Sequence, residues 1–424
     1  MGVFTTARRS RFRTVLGGAG LLAASALVLA GCAAEAGEPA TDDNTSAPTT
    51  PGEDLALKVG TILPQSGALA FLGPPEEAGV NLAVQEVNEA GLGISVEAIL
   101  RDSGDTTTDI ATVSVTDLLS QDVSAIIGAA SSAVSLTVID QITGAGVIQF
   151  SPANTSAAFT DYDDNGLYFR TAPSDVLQGE VLGNLIATDG IATLGLLVLN
   201  DAYGTGLAEF TSGAFEAAGG TVVAEELFNE GDTSVDAQVS ALAAADPEAV
   251  AVITFDQANF ALPALVNAGF TGEQLYLVDG NLADFSGVFE DGLIEGAKGT
   301  LPGLDVATLG DFQDRLLEVD PALTDYSYAA ESYDAVILLA LAALQAGSTD
   351  AAAIAAELQA VSGGAGDGEK CNSFAECAEL IAAGTAIDYD GPSGPITFDE
   401  NGDPTEATIG IYQYGADNNY TRIN

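Results

Sequence analysis

The chain has 424 residues, 47% of them hydrophobic, with 61 acidic side chains against 11 basic ones and a net charge of −50. A field of that sign repels nucleic acid and anionic lipid headgroups, which excludes partners held by surface charge of that kind. Histidine is absent from the sequence, which removes Ser-His-Asp and Cys-His catalysis, His-ligated zinc and imidazole general bases.

At the start of the chain, Arg8, Arg9, Arg11 and Arg13 precede an apolar run of 16 residues, Val15–Ala30, within a segment that ends Leu29-Ala30-Gly31-Cys32. This resembles a bacterial lipoprotein signal, in which residues 1–31 are removed and Cys32 carries lipid. The other reading is a signal anchor, but a spanning helix needs about 20 apolar residues and no charge stops the run on its far side. Arg8-Arg9 hints at twin-arginine export, yet Phe12 falls one place late for that pattern, so the general route is expected. The signal holds four of the basic residues and no acid, so the chain beyond it carries seven basic against 61 acidic residues, a net −54. Only Lys58, Lys298 and Lys370 remain as lysines. Lipid on Cys32, not surface charge, must then hold the protein to the extracytoplasmic face of the cell membrane. So acidic a surface suits a saline habitat, where counterions screen self-repulsion; an ordinary acidic exported protein fits the composition equally well.

Residues 32–54 are rich in Ala, Thr, Pro, Gly, Asp and Glu, with almost no large apolar side chain. They cannot bury enough surface to offset the entropy of ordering, and read as a disordered tether. The rest is long enough for two or three domains. Leu57–Leu63 is a β-rich run closed by Pro64 and Gly67. Val80, Ala83, Val84 and Val87 stand at i, i+3, i+4 and i+7, a helical stripe, and Ile94, Val96, Ala98 and Leu100 alternate as a strand does. Ala111, Val115 and Leu118 restore the helical period. Strands come next at 123–128 and 146–150, with a helix over 132–143 between them. A second series opens near Asp175 with a helix containing Leu182, Leu185 and Ile186, then strands at 193–199, 221–225, 249–254 and 274–278. Helices return at 309–317, 327–346 and 351–361, the middle one apolar enough to be largely buried. At the C-terminus, 395–398 and 407–414 read as two strands joined across Asn401-Gly402. Strands alternating with helices imply a mostly parallel sheet with helices on both faces, and the architecture expected is α/β with two doubly wound, Rossmann-like lobes.

In such sheets ligands bind where loops leave the carboxyl ends of strands. Ala129-Ala130-Ser131-Ser132 follows one strand and opens a helix, so its amides and hydroxyls suit an anion or simply cap the helix. Ser151-Pro152-Ala153-Asn154-Thr155, Asn200-Asp201-Ala202-Tyr203-Gly204 and Val278-Asp279-Gly280-Asn281 lie at other strand ends. Serine hydroxyls facing a carboxylate across a cleft match a zwitterion, with Asp279 toward an ammonium group.

These segments, in this order, resemble the periplasmic branched-chain amino-acid-binding family that serves ABC importers. The likeness runs from about Leu57 to Tyr414, through Ser66-Gly67, Ile127-Gly128 with Ser131-Ser132, the Ser151–Thr155 run, Tyr168–Asp175, Tyr203-Gly204, Asp279-Gly280 and Tyr333-Asp334-Ala335. It implies a type I periplasmic binding protein fold: residues 55–173 with 303–390 as lobe 1, 174–302 with 391–424 as lobe 2. Three hinge crossings join the lobes, near Arg170–Asp175, Leu301-Pro302-Gly303 and Gly391-Pro392-Ser393-Gly394. The resemblance further implies that Ser132, with Ser131 beside it, binds a ligand carboxylate. Ala153 gives a backbone contact, Thr155 touches both ends of the zwitterion, and Tyr203 reaches in from the second lobe. Asp279 stands where leucine/isoleucine/valine binders carry a glutamate. Leu72 replaces a pocket tyrosine, and Phe255 or Asp256 stands near another. Implied with these are an ABC permease as partner, a monomer, no cofactor, no metal and no catalysis; a lipid-anchored sensor of the same fold is the alternative.

A Rossmann cofactor enzyme is the rival class. Gly204-Thr205-Gly206 follows a strand, but Glu209 occupies the third glycine position of the fingerprint. Cys371 and Cys377, close together in an exported chain, read as a disulfide, worth about 2 kcal/mol for so short a loop.

Overall fold

The structure, a computed structural model, describes residues 54–304, 309–366 and 368–424. The expected signal at 1–31, the lipid site Cys32 and the tether up to residue 53 lie outside the described residues. From Leu55 onward the chain alternates strand and helix. Strands β1 (Leu55–Leu63), β2 (Ile94–Asp102), β3 (Ala125–Gly128), β4 (Ile148–Ser151) and β5 (Tyr168–Arg170) form one sheet in the order β2-β1-β3-β4-β5, all parallel. Strands β6 (Thr193–Leu199), β7 (Thr221–Phe228), β8 (Ala249–Ile253), β9 (Leu275–Leu277) and β10 (Lys298–Pro302) repeat that order as β7-β6-β8-β9-β10. Each series therefore reverses direction once, between β1 and β3 and between β6 and β8. Such switch points leave a crevice at the carboxyl ends of the strands.

The helical stripe lands as its period requires. In the helix Gly73–Ala90, Val80, Ala83 and Val87 are fully buried, while Val84 is half-buried at the edge. The helix starts on Pro74-Pro75, which lack only amides that would be unpaired there anyway. It stops at Gly91 in the left-handed conformation. It packs on the helix Ala329–Ala346, whose residues from Ala329 to Ala343 are all buried. Gly79 permits that approach: a Cβ there would lie 2.2 Å from the Ala329 carbonyl oxygen.

A small third sheet, β11 (Glu369–Cys371), β12 (Ile387–Gly391) and β13 (Gly394–Pro395), lies on the first lobe. Cys371 and Cys377 are bonded there, with an S–S distance of 2.11 Å. Strands β14 (Ile409–Tyr414) and β15 (Tyr420–Arg422) complete the second sheet, β14 running antiparallel to both β10 and β15.

Two expectations about the C-terminal region are corrected. The strand at 395–398 does not pair with 407–414: Gly394–Pro395 pairs with β12, and 409–414 finds β10 and β15 instead. The reason is aromatic packing. The Phe398 ring sits 5.9 Å from Phe150 and 5.6 Å from Phe169, which holds its segment on the first lobe. The turn at Asn401-Gly402 belongs there too, since the Gly402 carbonyl accepts from the Arg170 amide at 3.1 Å. Lobe 2 therefore does not resume at residue 391. The third crossing comes after Pro404, where Thr408 accepts from the Gly303 amide at 2.8 Å, so the second and third crossings run side by side.

Each of the seven bases among the described residues has a partner. Arg101, Arg170, Lys298, Arg315 and Lys370 pair with acids, Lys58 donates to the Gln121 carbonyl, and Arg422 donates to Asn424. Most of the 61 acids therefore have no basic neighbour to offset them. The melting temperature is expected to rise between 0.1 and 1 M KCl, as the Debye length falls from about 10 Å to about 3 Å. A flat or falling melting curve over that range would show the acidic surface to be without effect on stability.

Candidate functional site

All eight side chains singled out for ligand contact line one cavity, together with Leu69, Ala130, Gly280 and Tyr328. Leu69 and Leu72 come from the loop after β1, Ser131 and Ser132 from the loop after β3, and Ala153 and Thr155 from the loop after β4. Tyr203 follows β6, Phe255 follows β8, and Asp279 follows β9. Loops at both switch points thus meet face to face. The cavity is small, about 20 Å³, and every residue lining it is buried; it has room for one water, so a ligand of amino-acid size needs the lobes to part.

One wall offers donors. Ser131 caps the helix Ser132–Gly144, its hydroxyl accepting from the Val134 amide at 3.4 Å. The Ser132 hydroxyl accepts from the Ser156 amide at 3.3 Å, which leaves its proton free to donate. The Thr155 hydroxyl is buried with no hydrogen-bond partner. With the positive end of the helix behind them, these groups suit a carboxylate.

The opposite wall is acidic. Asp279 Oδ1 accepts from the Tyr203 hydroxyl at 2.6 Å and from Gln178 Nε2 at 2.9 Å, and Oδ2 accepts from the Tyr328 hydroxyl at 2.7 Å. Burial raises its pKa and the three side-chain donors pull it back, with a net rise. Asp175 lies behind Thr155, fully buried, and neither of its oxygens makes a well-formed hydrogen bond. Burial first, then the charge of Asp279, push its pKa well up; the nearby Thr155 hydroxyl and Arg170 oppose the rise. No basic side chain lines the cavity among the described residues, and Arg170 is committed to Asp403. Leu69, Leu72, Ala130 and Phe255 supply the apolar remainder, with the Phe255 ring stacked on Tyr203 at 5.3 Å.

Asp256 does not reach this cavity. It lines a neighbouring surface pocket of about 260 Å³, and its amide donates across the cleft to the Ala68 carbonyl at 3.3 Å. Sequence reasoning named neither Asp175, Gln178, Leu69 nor Tyr328 as site residues. Asp175 closes the Tyr168–Asp175 run, and Gln178 lies three residues on along the same helix face, so that pair was within reach. Tyr328 was not. It sits at φ 59° ahead of a helix starting at Ala329, a conformation no local pattern announces.

A family profile described as periplasmic binding protein matches residues 56–419. The chemotactic signal transduction system substrate-binding protein BasB of Halobacterium salinarum is 27% identical over 352 residues, covering 80% of this chain and 83% of BasB. Leu/Ile/Val-binding protein homolog 1 of Brucella abortus is 28% identical over 383 residues, 86% of this chain and 92% of that protein. The crystal structure of the leucine binding protein LivK from Thermotoga maritima matches with a TM-score of 0.73 at 23% identity, over 87% of this chain and 98% of LivK.

Proposed function

Because the chain belongs to the periplasmic binding protein family, whose members bind solutes and are not enzymes, we propose that it captures a free neutral α-amino acid between two closing lobes. The observation that carries this is the polarity of one buried cavity, with hydroxyls and a helix N-terminus on one wall and buried Asp279 on the other. A carboxylate and an ammonium group held on one carbon match the chemistry of those two walls. The apolar side chains of Leu69, Leu72, Ala130 and Phe255 favour an aliphatic or other uncharged side chain. The names of relatives such as Leu/Ile/Val-binding protein homolog 1 support the same class.

In this reading the protein is a lipid-anchored monomer, tethered outside the cytoplasm through Cys32, that hands its ligand to an ABC-type permease. The name of BasB favours a second reading, in which the closed lobes are read by a signalling partner instead. Either way the ligand leaves chemically unchanged.

Calorimetry of the purified protein against the twenty amino acids, with matched carboxylic acids and amines, tests the proposal. One tight class of α-amino acids is expected, with the acids and amines each binding far more weakly. Tight binding confined to compounds without an α-ammonium group would overturn the role of Asp279.

A further inference from the structure

Glu76 and Glu331 are two buried carboxyl groups that the ligand cavity does not use. Glu76, in the helix Gly73–Ala90, is fully buried, and both its oxygens lack a hydrogen-bond partner. Glu331, in the helix Ala329–Ala346, is 5% exposed. It stands where the lobes are joined. Its carbonyl accepts from the Thr171 hydroxyl at 3.0 Å, at the first crossing. Its Oε1 lies so near Gly303, at the second, that a Cβ there would meet it at 2.5 Å. Gly303 has φ +99° and bonds Thr408 of the third crossing. Rotation of one lobe against the other changes the dihedrals of the crossings, and Gly303 lies in one of them beside this carboxyl group.

We propose that closing the lobes seals a proton into the hinge: Glu331 is an uncharged carboxylic acid when the lobes are shut and gives up its proton when they part, so closure weakens as pH rises through neutrality.

Among the described residues no base forms an ion pair with Glu331. Glu76 faces Glu331 from the neighbouring helix, with Glu77 beside it, and Asp334 lies one turn further along Glu331's own helix. Asp334 is held by the Tyr389 hydroxyl and the Ser393 amide and hydroxyl within the first lobe, and burial pushes it to about 7. Asp325, Tyr326, Tyr328, Tyr412 and Tyr420 share a cavity of about 170 Å³ with Glu331. Arg422 donates to the Gly303 carbonyl at 3.5 Å and forms no ion pair with Glu331. Burial, opposed by a backbone hydrogen bond from its own amide and joined by the charge of Asp334, pushes Glu331 up to about 8. Solvated beside an opened Gly303, it would return toward the ordinary glutamate value near 4.3. The closed form then binds more protons than the open one across the neutral range. Closure is strongest at the acid end of that window, is lost as pH rises, and levels off once the closed form itself ionises near 8. Asp334, near 7, and the buried cleft acids Asp175 and Asp279, also raised, share the same sign of dependence, so the Glu331 variant is what assigns the slope.

The test needs no ligand. Spin labels on Val113→Cys and Leu227→Cys, exposed on the first and second lobes, are placed in a Cys32→Ser background. Pulsed electron resonance then reads the populations of open and closed forms from pH 6 to 9 in 1 M KCl. The expected result is a closed-to-open ratio that falls by up to tenfold per pH unit between pH 6 and 8. Glu331→Gln should make that slope clearly shallower, leaving only the part due to Asp334, Asp175 and Asp279. Should Glu331→Gln fail to fold, Asp334→Asn serves instead: the slope should persist with its midpoint moved to lower pH, because the charge that opposes ionising Glu331 is gone. A slope unchanged by Glu331→Gln, a midpoint unmoved by Asp334→Asn, or a wild-type ratio flat over this range would each overturn the proposal. None of these outcomes depends on which ligand the cleft accepts.

Discussion

Asp279→Ala is expected to raise the ligand Kd by two to four orders of magnitude. Three donors converge on this one carboxylate, from Tyr203, Gln178 and Tyr328, and the cavity contains no other charged wall. An ammonium group enclosed there without Asp279 would be a buried charge lacking its partner. Removing one member of such a pair typically costs about 3–5 kcal/mol, and each 1.4 kcal/mol is tenfold in affinity. The two tyrosine hydroxyls would also lose their acceptor, which adds to the loss. Titration calorimetry of the variant against the ligand found for wild type measures it. A loss below tenfold would remove Asp279 from the ammonium contact. The pH dependence has a definite sign. Burial raises the Asp279 pKa, so acidification neutralises the empty site, and the ligand must then displace a proton. Ammonium capture therefore weakens toward acid pH, opposite to the hinge effect, and Glu331→Gln separates the two.

Arg170→Met is expected to produce the largest loss of stability. Arg170 is fully buried, and its guanidinium donates to both Asp403 oxygens at 2.6 and 2.7 Å, to the carbonyls of Asn154 and Ser156, and to the Thr160 hydroxyl. Methionine fills much of the volume but leaves the Asp403 carboxylate, with its side chain 12% exposed, without its partner. A urea titration should show about 3–5 kcal/mol lost. Arg170→Met combined with Asp403→Leu should recover much of it, since apolar replacement of a whole buried pair is often neutral. A double variant no more stable than the single one would assign the loss to the carbonyl contacts. Ligand affinity should fall in parallel, because Asn154 and Ser156 flank Thr155 in the cavity wall.

How far the sequence alone reaches depends on how local each signal is. The period of Val80, Ala83 and Val87 is a property of one helix, and it placed that helix correctly. The site residues at strand ends were legible for a similar reason, because β3, β4, β6 and β9 each end just before the chemistry begins. Strand β5 has three residues, too few to show any period. Strand β10, Lys298–Pro302, carries Gly299 and Pro302, neither a strand former, and owes its place to partners on both sides. The C-terminal pairing was misread because Phe398 answers to Phe150 and Phe169, more than two hundred positions earlier. Tyr328 was invisible for a related reason: its partner Asp279 is 49 residues away and in the other lobe.

The bond between Arg170 and Asp403 spans 233 positions of sequence, and that span sets an order of events during synthesis. The first lobe cannot neutralise its interior guanidinium until residue 403 has emerged. The second sheet likewise waits for residues 409–414 to flank β10. Neither half can finish alone while the other is still being made. Contacts of such length are reached slowly, since the loop must close before it is rewarded. The nascent chain therefore stays loose until nearly all of it has been delivered, and a chain that must be threaded through a narrow passage before folding is served by that delay.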